Sequence, residues 1–338
     1  MTNQSEARRL EARYLGLALK SPLAPSASPL TATFNGAREL EDAGAAAIVM
    51  HSLFEEECQK DHAMLHQFLY EQELGHSESD GYLPVPDTFR TAEERYLDNL
   101  ERMKASLEIP VIASLNGVTR KGWAEHARQL AAAGADGLEL NVYYIAADAE
   151  ESSMDVERRY LDIVHSVRAS VPDLPLAVKI SSQFTSPVHF ISQLKQIGVN
   201  AVVMFNRFLQ PELTLETRKL HPMLELSHAD ELRERLRWIA IVRAQVAIDI
   251  AVTGGVHSAS DVIKAQMCGA DITQMASVLM QQGPGVIRQM ETEILEWMDL
   301  NEYDSLLQLK GSVSYRNAAD PSGFERANYL ETLDSWRP

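Results

Sequence analysis

The sequence predicts an α/β fold, a (β/α)8 TIM barrel with insertions after its second and sixth strands, and three observations carry that prediction. First, a helix that closes on glycine and leads within two or three residues into a short apolar run recurs at Ala43-Gly44-Ala45-Ala46, Ala133-Gly134-Ala135-Asp136, Ile197-Gly198-Val199-Asn200 and Cys268-Gly269-Ala270-Asp271. Glycine takes the left-handed conformation that ends a helix, and the tight turn feeds a parallel strand. Second, eight apolar runs lack the alternation of a half-solvated strand, as parallel strands covered on both faces do. Third, amphipathic stretches separate the runs, so strand and helix alternate through most of the chain. A doubly wound open sheet would alternate too, but a count of eight favours closure.

The runs, in order, are Leu23 to Ala27, Ala46 to Met50, Val111 to Ser114, Gly137 to Asn141, Leu176 to Ile180, Ala201 to Phe205, Ala247 to Thr253 and Ile272 to Met275. Helices are expected over Trp123 to Ala133, Val156 to Ser170, Val188 to Ile197 and Ser260 to Cys268. The insertions are Phe54 to Ser106, with a turn-rich segment Gly75 to Thr88, and Arg207 to Gln245. Both fall beyond strand C-termini, where barrel enzymes build their sites. No Pro- or Ser-rich linker interrupts the chain, so residues 1–338 read as one barrel domain with a polar C-terminal tail over 318–338.

Composition narrows the function. The chain is 45% hydrophobic and 23% charged, enough to bury a large core without staples. Its net charge of −17 would repel a phosphate backbone, which disfavours nucleic-acid partners. No apolar run approaches the roughly 20 residues of a membrane helix, and Met1 to Leu10 is polar rather than signal-like, so no membrane partner and a cytoplasmic location are expected. Cys58 and Cys268 are too few for a disulfide framework or a four-thiolate cluster, and Cys268 reads as a buried helix-end residue.

Chemistry concentrates at strand ends. Ala251-Val252-Thr253-Gly254-Gly255-Val256, followed by a helix from Ser258 and by Gln274-Met275-Ala276-Ser277 after the eighth strand, has the layout of a barrel phosphate site. The bland alternative is a plain strand-to-helix turn. Lys179 ends an otherwise apolar run, where a cation is costly without an anionic or electron-rich partner. Asn141 and Asn206 also end strands and present donor and acceptor to a planar amide or imide, or else cap loops. His62, His66 and His76 with Glu55, Glu56 and Glu57 have no closed-site spacing, so no metal is expected and a solvated face is the better reading.

Together these segments resemble the dihydroorotate dehydrogenase family of FMN-dependent flavoproteins, particularly its class-one branch. The resemblance rests on Tyr14-Leu15-Gly16-Leu17-Ala18-Leu19-Lys20-Ser21-Pro22-Leu23 as an N-terminal hairpin leading into the first strand, Glu139-Leu140-Asn141, Val178-Lys179, Asn206, Thr253-Gly254-Gly255-Val256, Cys268-Gly269-Ala270 and Gln282-Gly283-Pro284-Gly285. It implies that Ala27, Ser28, Ser52, Asn116, Asn141, Lys179, Thr253, Gly254, Gly255, Ala276 and Ser277 line FMN, and that Asn206 faces the substrate. It also implies hydride transfer between flavin N5 and a small planar substrate, dihydroorotate or a related compound, with Lys179 supporting the reduced ring.

The departures are as specific. Where the family carries a Cys or Ser base, this chain has Val142-Tyr143-Tyr144-Ile145, with Tyr144 at the base position, and Ile145-Ala146 replaces the usual Pro-Asn. The Asn-rich substrate loop is replaced by Tyr82-Leu83-Pro84-Val85-Pro86, and His51 stands for a lysine. His51 is a general acid or base, or a hydrogen-bond partner of the flavin or a loop. Tyr143 and Tyr144 supply a phenolic acid or a stacking wall, the wall being the safer assignment. Two other readings stay open: a flavin-binding redox or regulatory subunit beside a separate electron-acceptor protein, and a non-redox barrel enzyme acting on a phosphorylated compound. A homodimer is expected from the resemblance alone.

Overall fold

A computed structural model describes residues 8–61, 63–64, 90–117 and 119–335. Strands β1 (Ala12–Tyr14) and β2 (Leu17–Leu19) form an antiparallel hairpin, after which β3 (Leu23–Pro25), β4 (Ile48–Val49) and β5 (Leu53–Phe54) follow. Then come β6 (Val111–Asn116), β7 (Gly137–Asn141), β8 (Leu176–Ser181) and β9 (Ala201–Asn206). A second hairpin, β10 (Glu212–Thr214) with β11 (Lys219–His221), precedes the last two strands, β12 (Asp249–Thr253) and β13 (Ile272–Met275).

Eight of these pair in parallel in the order β3-β13-β12-β9-β8-β7-β6-β4, and the Ala46 N–H donates to Leu23 O at 2.9 Å across the remaining gap. The result is the predicted (β/α)8 barrel. Strands one, two and seven are shorter than the apolar runs suggested. The first two runs nonetheless stay tied to their neighbours past the strand ends, through Ser26 N–H to Met275 O at 2.7 Å and Met50 N–H to Ile112 O at 2.9 Å. All four helix-closing glycines, Gly44, Gly134, Gly198 and Gly269, have φ between 90° and 116°, where a Cβ would be strained.

Helices begin one to three residues earlier than their patterns suggest. The helices Arg120–Ala132, Ser153–Ser170 and Ala259–Cys268 start behind Thr119, Ser152 and Ser258, each of which accepts a first-turn N–H. The insertion after the sixth strand is also smaller than expected. Leu232–Gln245 is the barrel's own helix, packed beside β12, so the true insertion ends by 231. Of the insertion after the second strand, Gly75 to Thr88 and Tyr82 to Pro86 lie outside the described residues, as do His62, His66 and His76. Glu55 is a cap, accepting from the Thr119 N–H at 2.8 Å.

Strand alternation sorts the barrel into two environments. Leu138, Leu140, Leu176, Val178 and Ile180 pack outward against the helices, whereas Ala24, Ala177, Ala201, Val203 and Ala251 face inward around Tyr14 and Leu15. The β1–β2 hairpin thus plugs the N-terminal end. Its two-residue turn has φ of 55° at Leu15 and 78° at Gly16, the both-positive pattern of tight hairpins. Asp249 holds it there by accepting the Leu15 N–H at 2.8 Å. Toward the C-terminal end the same inward positions become polar, and the site begins there.

Candidate active site

One pleat above the small inward residues come Ser114 on β6, Glu139 on β7, Lys179 on β8 and Gln274 on β13. All four are buried, Lys179 to 7% exposure and Glu139 and Gln274 completely. Gln274 Nε2 donates to Glu139 Oε2 at 2.8 Å, and Lys179 Nζ stands 4.0 Å from Glu139 Oε1. A buried lysine with one carboxylate at that distance keeps donors free for a neighbour. Above this layer opens a cavity of about 500 Å3, within the range of small-molecule sites. Its wall includes Lys179, Gln274, Asn116, Asn141, Asn206 and Tyr143.

The asparagines are oriented by one another. Ser52 Oγ lies 2.8 Å from Ser114 Oγ, Asn141 Nδ2 donates to Ser52 Oγ at 3.4 Å, and Asn206 Nδ2 donates to Asn141 Oδ1 at 2.6 Å. Tyr96 braces this chain from outside by donating to Ser114 O at 3.1 Å, and burial raises its phenol above the ordinary range. Ser52 therefore supports Asn141 from behind and does not itself line the cavity.

Toward the first, seventh and eighth strands the cavity meets Ala27, Ser28, Thr253, Gly254, Gly255, Ala276 and Ser277. Gly254 and Gly255 have φ of 82° and 80°. A Cβ on Gly255 would fall 2.4 Å from the Leu232 backbone N, and one on Gly254 would fall 2.7 Å from Arg235 Nη2. Helix Leu232–Gln245 thus presses the loop into the cavity, and only glycine tolerates that approach. Arg235 fastens the loop through Nε to Thr253 O at 2.6 Å, and burial lowers its pKa. Ser227 crosses the same end, with its N–H on Ser277 Oγ at 2.9 Å and its Oγ accepting from the Gly255 N–H at 3.4 Å. First-turn N–H groups behind Ala276 lack intrahelical acceptors, which suits an anion.

The structure therefore brings together Ala27, Ser28, Asn116, Asn141, Tyr143, Lys179, Asn206, Thr253, Gly254, Gly255, Ala276 and Ser277. It leaves Tyr144 and His51 off the wall. Tyr144 lines a neighbouring cavity of about 250 Å3, donates to Glu151 Oε2 at 2.6 Å and lies under the Arg159 guanidinium, 4.2 Å from its ring centroid. The bond to Glu151 pushes its pKa up, which is the wrong direction for a base. His51 sits behind Phe54, ring centroids 5.9 Å apart, and burial lowers its pKa. Tyr143 does reach the cavity, packed 4.4 Å from the Phe208 ring, and its hydroxyl accepts from the Leu209 N–H at 3.1 Å.

Sequence reading missed Glu139, Gln274, Ser227 and Arg235. Alternation within each run would have found the first two, because Glu139 shares a face with Asn141, and Gln274 with Ile272. Nothing in the spacing separates Arg235 from Arg233 and Arg237 on the same helix.

The model of the family described as dihydroorotate dehydrogenase matches residues 89–298, more than half of the chain. The chain belongs to the dihydroorotate dehydrogenase family. Similar proteins include the catalytic subunit of dihydroorotate dehydrogenase B (NAD(+)) from Methanothermobacter thermautotrophicus, 24% identical over 60% of this chain and 69% of that protein. Dihydroorotate dehydrogenase A (fumarate) of Lactobacillus delbrueckii subsp. bulgaricus is 27% identical over 51% of this chain and 57% of its own. A catalytic subunit of the B type from Thermoplasma volcanium is 22% identical over 88% of this chain and 95% of its own. The family is FMN-dependent, and the residues present fit that cofactor. A nearly buried cation, Lys179, and the buried amide of Gln274 line one part of the cavity, and a glycine loop lines another.

Proposed function

We propose that this chain is an FMN-dependent oxidoreductase acting on the CH–CH group of a small planar substrate. Lys179 carries the reading, as a nearly buried cation on the wall of a cavity whose far end is shaped for an anion. Bound FMN would supply hydride acceptance and donation at N5. Lys179, Asn116 and Asn141 would hold the pyrimidine end of that cofactor, and Gly254, Gly255, Ala276 and Ser277 its phosphate. Asn206, fixed by Asn141, and Tyr143 would bind and stack a flat substrate on the exposed face, which sets the short distance that hydride transfer requires.

The substrate is assigned as a relative of dihydroorotate, on the ground of Tyr144. Its hydroxyl is engaged by Glu151 and has a raised pKa, so it is poorly suited to remove a proton. The same observation favours a second reading, retention of the flavin without dihydroorotate turnover. A separate acceptor protein and a homodimer complete the proposal, the former because two of these relatives are named as catalytic subunits. The test is the flavin band of purified protein when dihydroorotate is added without oxygen. A band that persists with dihydroorotate and bleaches with dithionite supports a different substrate; rapid bleaching by dihydroorotate restores the parent activity and a base within the cavity.

A further inference from the structure

Among the described residues, Glu139 is the one carboxylate in the polar layer beneath the cavity. It is completely buried, yet its two oxygens behave differently: Oε2 accepts from Gln274 Nε2 at 2.8 Å, while Oε1 has no hydrogen-bond partner and faces Lys179 Nζ at 4.0 Å. Removing one partner from a buried charge is costly, so an arrangement that leaves Oε1 short of a full bond to an adjacent cation needs a reason. A carboxylate oxygen only accepts, so the Gln274 amide must turn Nε2 toward Glu139 and Oε1 away from it. Gln274 lies on the cavity wall, and its Oε1 is likewise buried without a partner.

We propose that Glu139 is a positioning residue that acts through Lys179. The Gln274 bond fixes the Glu139 carboxylate, whose free oxygen stands 4.0 Å from the ammonium, and its charge partly offsets Lys179 and sets how strongly that cation favours the reduced cofactor. This rests on the FMN reading above.

The experiment is the flavin midpoint potential, with the FMN dissociation constant measured alongside, in wild type, Glu139→Gln, Lys179→Met and the double variant. Glu139→Gln keeps the shape and removes the charge, so Lys179 should favour reduced over oxidised FMN about tenfold more, a rise of about 30 mV for a two-electron couple. In the Lys179→Met background the same change should give no rise. An unchanged potential in Glu139→Gln with FMN bound, or a rise that persists without Lys179, overturns the proposal. Should Glu139→Gln fail to fold, Gln274→Leu decides: it leaves Lys179 as the only partner of the carboxylate and should lower the potential, and no change or a rise refutes the idea. A wild-type protein that takes up no FMN defeats the functional reading itself, and this inference with it.

Discussion

Two side chains at the rim illustrate how environment overrides position. Tyr144 occupies the base position by resemblance, but its bond to Glu151 and its place under Arg159 turn it into the next cavity. A true general base contributes about 10²–10⁴-fold. With any substrate that reduces the flavin, Tyr144→Phe should therefore keep the stopped-flow reduction rate within about twofold, and a loss near the lower end of that range would return the role to Tyr144. His51 makes a different prediction. Its pKa is lowered in the folded state, so the folded chain holds fewer protons than the unfolded chain once pH falls below the ordinary histidine value of about 6.5. Its contribution to stability is complete above that value and is lost as pH drops toward the folded pKa. His51→Gln should shrink the fall in Tm between pH 7 and pH 5, measured by calorimetry against wild type. Asn141 and Asn206, which end their strands, and Lys179, which stands within β8 two residues before its end, were legible because a polar group in or after an apolar run is conspicuous. Glu139 was not, because two flanking leucines made a polar inward position look like part of a continuous run.

At the level of elements, glycine placement was readable and helix starts were not. Each closing glycine interrupts an amphipathic pattern, whereas an N-cap such as Ser152 lies four residues before Val156, where the apolar pattern suggests a start, and its bond to the Asp155 N–H reveals it. The Gly254-Gly255 loop yields a graded prediction. Gly255→Ala meets backbone at φ of 80° and should cost more than about 1–3 kcal/mol, the ordinary cost of such strain, in urea unfolding. Gly254→Ala meets the end of Arg235 and should cost less. Equal losses would mean that helix Leu232–Gln245 does not back the loop as described. Among the described residues the β10–β11 hairpin pairs only with itself, and Leu213, Leu215 and Leu220 on or beside it are exposed. Replacing 212–221 by a short polar turn should leave Tm within about 2 °C, because no strand of the barrel depends on it. A larger loss would show that the hairpin braces the rim.

Across the whole molecule, eightfold alternation fixed the architecture early, since closure follows from repeated βα units and needs no particular side chain. The size of the second insertion was misjudged because Leu232–Gln245 carries four arginines among its apolar residues, which disguises a barrel helix as a charged excursion. The site combines a nearly buried lysine, a glycine loop and a family whose members use FMN, so cofactor binding should stabilise the fold by mass action. At a ligand concentration one hundred times the dissociation constant this amounts to about 2.7 kcal/mol. The most direct test is titration of apo-protein with FMN, followed by fluorescence quenching and by Tm. The account predicts one FMN per chain, a raised Tm, and a weaker complex in Lys179→Met. A chain that leaves FMN fluorescence and its own Tm unchanged would contradict it.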